Sequence, residues 1–306
     1  MRTKIAIIVF WFCAFTLFAS AQAPSAEEEW NPVSTGPVTT WTAPLCAKGE
    51  FVLQPFFFYS KTRGTFDAEG HYNSLPDADK SYQYQEQLFL QYGLTDRWEI
   101  DGLGVYQENY VKEGDLKAHA NGVGDSYLFS RYCLFEEKGW RPHLTAMGQL
   151  KIPTGKYEHA DPNKLGTDLM GASSGGGSWD YGLGLMMTKK LKPFLLHCDF
   201  IYNFPQEVKV DAVKTRYCNY LNYDAGIEYF LPKGFNLTLE LNGFLQGDIK
   251  EEGEMVPSSD VKYLVVSPGL GWSNDKIQAL LAYQRTVSGT NTDATDALVI
   301  TFVYTF

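Results

Sequence analysis

SYQYQEQLFLQY, residues 81–92, places Tyr82, Tyr84, Leu88, Leu90 and Tyr92 on one parity and Ser81, Gln83, Gln85, Gln87 and Gln91 on the other. A period of two is the signature of a β-strand with one apolar and one polar face. Twelve residues are enough for a tilted strand to cross the hydrocarbon of a bilayer. Glu86 interrupts the apolar face, and a local bulge is the expected reason.

Working outward, the last ten residues repeat the pattern. Leu298, Ile300, Phe302, Tyr304 and Phe306 oppose Ala297, Thr301 and Thr305. Similar segments predict twelve strands, at 50–60, 81–92, 97–107, 124–135, 140–152, 178–188, 194–204, 217–230, 235–246, 261–273, 277–287 and 297–306. Short turns alternate with longer loops at 61–80, 108–123, 153–177, 205–216, 247–260 and 288–296. A transmembrane antiparallel β-barrel of about 12 strands has this asymmetry, with short periplasmic turns and long extracellular loops. A soluble sandwich has no reason for it.

Charge parity makes the same point, because lipid-facing positions exclude charge and lumen-facing positions accept it. Glu99, Asp101, Asp180, His197, Asp199, Asp224, Glu228 and Glu240 alternate with apolar neighbours, as do Arg141, His143 and Lys151. With Gln83, Gln85, Gln87 and Asn222 they form the expected lumen lining. Its negative lean disfavours anions. Tyr92, Trp98, Trp140, Phe194, Phe230, Phe235, Trp272 and Phe306 sit beside short turns and read as one interfacial aromatic girdle.

Composition narrows the class. The chain has 306 residues, 44% hydrophobic, 20% charged and 15% aromatic, which is too apolar and aromatic for a disordered chain. A mean hydropathy of −0.23 excludes a bundle of apolar helices. Arg2 and Lys4, the apolar run from Ile5 to Ala19 and the small residues Ala19-Ser20-Ala21 read as a signal peptide over 1–21. Residues 22–49, with four prolines and Glu27-Glu28-Glu29, lack periodicity and are expected to form a flexible periplasmic extension ahead of a barrel over 50–306.

Cleavage removes two basic residues, leaving 24 against 36 acidic ones, a charge of −12 that argues against nucleic acid as a partner. Cys46, Cys133, Cys198 and Cys218 form no CxxC pair and read as small apolar fillers, so neither metal nor cofactor is expected.

Five stretches, YGLTDRWEI (92–100), GVGDSYLFSRYCLFEE (122–137), RPHLTAMGQLKIPTGKY (141–157), WDYGLGLMMTKKLKP (179–193) and LNYDAGIEYFLPKGFNLTLELNGF (221–244), resemble the family named for the MetA pathway of phenol degradation. The resemblance runs in the family's order over roughly 81–306. It implies a bacterial outer-membrane channel or transporter, carries no catalytic motif and says little about cargo. A C-terminal strand ending at Phe306 also resembles the pattern that barrel-insertion machinery reads in such proteins, which makes that machinery and outer-membrane lipid the implied partners.

Of the remaining motifs, the glycine pairs at 102/104, 122/124 and 182/184 and the run 175–177 do not open a helix as a phosphate loop must. His197 and Asp199 share a face, with Asp224 on the following strand, but a dyad needs a nucleophile and none stands at a suitable spacing. The expected function is passive passage of small molecules, with aromatic or hydrophobic compounds as the candidate cargo and no enzymatic activity. A closed structural or adhesion barrel acting through its outer loops is the alternative, and a lipid-modifying enzyme stands third.

Overall fold

The computed structural model describes residues 30–155, 176–210 and 213–306. Twelve long strands form the wall: β1 (Phe51–Phe66), β2 (Lys80–Thr95), β3 (Trp98–Glu113), β4 (Ser126–Phe135), β5 (His143–Ile152), β6 (Asp180–Leu191), β7 (Phe194–Pro205), β8 (Tyr220–Phe230), β9 (Phe235–Gln246), β10 (Val261–Ser273), β11 (Ile277–Thr290) and β12 (Thr292–Thr305). Each pairs antiparallel with the next. β12 returns to β1, from Val52 opposite Thr305 to Phe66 opposite Thr292, and closes the barrel. Closure joins the first and last strands of the wall, the condition a strand-built protein must meet in lipid.

All twelve expected strands are present, and several run further than their sequence pattern. Strand also replaces expected loop at 108–123, and at 288–296, likewise expected to be a long loop, no loop is left. β11 and β12 continue through it to a tight turn at Asn291, whose φ of 48° is one that asparagine tolerates. The alternation of long and short connections therefore fails at this hairpin. The wall is also uneven: β1, β2 and β3 have 16 residues each, β4 and β5 only 10. Above Gly124 and Asp125 the outer half of β3 pairs instead with the strand Leu116–Val123. Outside the membrane, the strands Val208–Val210, Val213–Arg216, Lys250–Glu251 and Glu254–Met255 join two loops in a small sheet.

No bulge accompanies Glu86. Its pairing with Phe57 on one side and Tyr106 on the other is in continuous register, and the exposed side chain belongs to the outward face between Tyr84 and Leu88. The break in the apolar face is a carboxylate at an outward position, not a slip of the strand.

Residues 30–49 are not a free periplasmic extension. They enter the barrel at its short-turn end, reach an apex at Val38–Trp41 and return to the same end before β1. At the entrance Trp30 meets Phe230 edge-on at 5.6 Å, and Lys190 Nζ donates to Asn31 Oδ1 at 2.7 Å. At the exit Gly49 N donates to Gly93 O at 2.8 Å and Lys48 N to Asp96 Oδ1 at 3.1 Å. The apex stands level with residues five or six positions in from the short turns, roughly 14 Å up strands of about 3.3 Å per residue tilted near 40°. That is about the middle of an apolar band ~25 Å tall. The expected signal peptide and the rest of the extension lie outside the described residues, as do 156–175 of the loop 153–177.

Candidate functional site: the plugged lumen

Eight strands leave an interior filled by side chains and sixteen leave open water, so a twelve-stranded barrel needs something more to fill it. The plug does so by donating hydrogen bonds to a row of inward carboxylates. Glu240 accepts five: from the backbone N–H of Val38 (3.0 Å), Thr39 (2.9 Å) and Thr40 (2.7 Å) and from both threonine hydroxyls (2.9 Å each). Asp199 accepts Trp41 N at 2.9 Å, Glu99 accepts Cys46 N, and Glu228 accepts the Ser34 hydroxyl at 2.9 Å. A proline-rich coil has no strand partner for its N–H groups, and leaving them unpaired inside a barrel is costly. Carboxylates, which only accept, are the matching groups.

The plug's carbonyls find donors in turn. Arg131 is buried, pairs with Glu99 at 2.6 Å and Asp101 at 3.6 Å, and reaches Thr42 O at 2.5 Å and Pro44 O at 3.3 Å. Its guanidinium also lies 5.4 Å from the ring of Trp41. Thr145 donates to Ala43 O at 2.6 Å. Two glycines permit the fit. Gly36 has φ +105°, and a Cβ there would stand 2.1 Å from Thr42 Cγ2; a Cβ on Gly226 would press Pro37 at 3.0 Å.

His197 is part of the same clamp. Ala43 N donates to Thr188 Oγ1 at 2.9 Å, so the Thr188 hydroxyl is free to donate to His197 Nδ1 at 3.0 Å, and Nε2–H donates to Glu228 at 3.0 Å. The neighbour that histidine takes is Glu228, not Asp199, which faces Asp224 across the strand pair. The hydroxyl in this chain is buried beneath the plug.

The other expected lining residues divide. Gln83, Gln85 and Gln87 share the inward face and bond to Asn109 (2.7 Å), Gln107 (3.3 Å) and one another (3.1 Å). Lys151 pairs with Asp180 at 2.7 Å and Asp125 at 3.6 Å, and Tyr220 donates to Asp180 at 3.0 Å. Asn222 stands opposite Ile201 and Phe244 on the inward face. His143 shares the parity of Thr145 at the first position of β5. Arg141 does not line the lumen: it sits exposed at the turn after β4, its guanidinium 5.4 Å from the Phe135 ring. That stretch is a bridge to Lys138, not strand, so the parity argument lapses there.

The eight girdle residues all stand at the short-turn end. Seven are exposed, Trp140 (71%) and Phe306 (68%) most of all, and Phe230 is half-buried against Trp30. Sequence reasoning missed Arg131, although it shares the parity of Phe129 and Cys133 against outward Leu128 and Tyr132, the signal that found Lys151. It also missed inward aromatics. Phe56, Phe89 and Phe129 are buried in the lumen against Val38 and Ala43, and Trp41 meets Phe89 at 5.4 Å and Phe129 at 4.9 Å.

Between the plug and the walls of β1, β2 and β3 remains a cavity of about 320 Å³, bordered by Pro37–Thr42, Gln54, Phe56, Phe58, Gln87, Phe89, Gln91 and Leu103. Among the described residues the one grouping of histidine and carboxylates close enough to share an ion is Asp67, Glu69 and His71, on an outer loop. Asp67 there accepts the backbone N–H of His71 and of Glu69, which makes the cluster a turn; the His71 bond holds the Asp67 carboxyl below the usual carboxylate range.

A closed antiparallel barrel with an apolar, aromatic-banded exterior and a polar interior is an outer-membrane β-barrel. Residues 92–302 match the family model described as Putative MetA-pathway of phenol degradation, and the chain belongs to that family. Its fold is similar to an outer membrane channel from Pseudomonas putida F1, with a TM-score of 0.70 and 19% identity over 86% of this chain and 98% of that one. It is also similar to the NanC porin, with a TM-score of 0.49 and 10% identity over 82% of this chain and 98% of the porin. No curated protein matches the chain.

Proposed function

We propose that this protein is an outer-membrane diffusion channel for small molecules, with aromatic and hydrophobic compounds as its cargo, and that its own N-terminal segment holds it shut. The observation that carries the reading is the plug itself. A barrel with a purely mechanical role would fill its lumen with wall side chains, whereas here a separate segment occupies it through hydrogen bonds that can be broken and remade. The solved barrel with a TM-score of 0.70 is described as a channel, which supports the same reading. The negative lining is spent on the plug while it is in place, so cation preference belongs to the open state.

The test is planar-bilayer recording of the mature chain beside a chain lacking residues 22–46. The full chain is expected to stay closed with rare openings, and the deleted chain to show long, cation-preferring steps. If the deleted chain folds, as its heat-modifiable gel mobility reports, and is equally silent, the channel reading fails and the barrel is structural.

A further inference from the structure

The cavity beside the plug has a chemistry of its own. One side is apolar and aromatic, built from Phe56, Phe58, Phe89 and Leu103. Its volume of about 320 Å³ exceeds the roughly 150 Å³ that suffices for benzene in an apolar cavity. Its one charged neighbour, Arg131, is already paired with Glu99 and Asp101, so no free charge awaits an ion.

The polar side is set by two amides whose orientation follows from their partners. Thr301 donates its hydroxyl proton to Pro55 O at 2.8 Å, so it can only accept from Gln54, at 3.2 Å. Gln91 reaches Glu99 at 3.3 Å, and a carboxylate only accepts. Both glutamines therefore turn their NH2 groups, each with one N–H bonded, toward the wall. Their carbonyl oxygens take no protein donor among the described residues and are not sealed from the cavity. The cavity thus offers aromatic faces and two unpartnered amide carbonyl acceptors.

We infer that this cavity is a binding site for a neutral aromatic molecule carrying a hydrogen-bond donor, a hydroxyarene or an arylamine. The ring stacks among the phenylalanines and its O–H or N–H donates to Gln54 or Gln91. An aromatic carboxylate is excluded, because it brings a charge with no partner and an acceptor where acceptors already stand. A plain arene fills the space and leaves the amide oxygens unmatched. Residues 37–42 of the plug form one wall, so the site exists only in the closed barrel. The inference rests on the channel reading for its place in transport, but binding is measurable without any current.

The experiment is isothermal titration of the mature chain in lipid nanodiscs with p-cresol, toluene and benzoate, with empty nanodiscs as the blank for partitioning. Saturable binding of p-cresol at one site is expected, with toluene at least about tenfold weaker and benzoate showing none. Leu103→Trp, which fills the cavity, removes the site. Gln54→Met weakens p-cresol and leaves toluene unchanged. The chain lacking 22–46 loses saturable binding. Heat-modifiable mobility establishes that each variant is folded. Equal uptake of p-cresol and toluene, tight benzoate binding, or p-cresol binding that survives Leu103→Trp in a folded barrel overturns the assignment. p-Cresol binding by the mature chain, with the chain lacking 22–46 folded yet silent in the bilayer, sinks the channel reading alone; a conducting deleted chain with no saturable binding by the mature chain sinks this site alone.

Discussion

β8 and β9 meet the plug through Glu228 and Glu240, in direct contact and with every carboxylate oxygen bonded, whereas β1 and β2 meet it through phenylalanines and glutamines that also border an open cavity. The two sides of one lumen thus divide the labour. The charged side grips the backbone N–H groups of Val38, Thr39 and Thr40 together with the hydroxyls of Ser34, Thr39 and Thr40. The amide and aromatic side leaves room for a guest. Retention and binding are therefore separable by mutation.

The strongest challenge to this division is Arg131→Met on the seam between the sides. It strands Glu99 and Asp101 without a cation, and breaking such a buried pair costs about 3–5 kcal/mol. The expected result is poor refolding yield and lowered thermal stability, read from heat-modifiable mobility. Normal yield would mean that the plug alone satisfies those carboxylates.

Next in size is Glu240→Gln. Bonds to a charged acceptor contribute about 1.5–3 kcal/mol each, and replacing the charge weakens five of them. Plug release should rise by roughly 10- to 100-fold, at about 1.4 kcal/mol for each factor of ten. Release is measured as maleimide labelling of buried Cys46 in a chain whose Cys133, Cys198 and Cys218 are replaced by alanine. Unchanged labelling would move the grip elsewhere.

Gly36→Ala should act in the same direction by about tenfold, since its backbone conformation strains any side chain by roughly 1–3 kcal/mol. Smallest is Gln87→Ala on the opposite side, expected to change Cys46 labelling by no more than about twofold. A large effect there would erase the contrast between the two sides.

The outer surface was legible in the sequence because lipid applies one rule at every second residue. Tyr82 to Tyr92, Glu86 excepted, and Leu298 to Phe306 obey it without help from distant partners. Residues 30–49 follow no such rule. Val38, Thr39 and Thr40 are ordered by Glu240, about two hundred residues away, and a coil that bonds through its backbone leaves no pattern in its side chains. The same gap hid the purpose of the acidic row, whose parity was correct while its partners were unseen. Inward Phe56 and Phe89 escaped because polar-inside reasoning expects no aromatic there, and only a plug with Val38 and Trp41 gives them something to pack on. Arg141 shows the converse: a parity argument extended past the end of its strand misplaces the side chain.

The plug goes in and comes out at the same end of the barrel, with Trp30 and Gly49 both beside the short turns. Topologically it is a bight in a rope, not a thread through a ring. A pull on the residues ahead of Trp30 therefore draws the loop out without passing an end through the barrel, and it loads the bonds singly: Ser34 to Glu228, then Thr35 to Gln278, then the cluster at Glu240. Unzipping of this kind needs far less force than shearing the same bonds together, so a periplasmic partner with a modest hold on the N-terminus would be mechanically sufficient to clear the lumen, and the elastic return of a tethered loop would refill it.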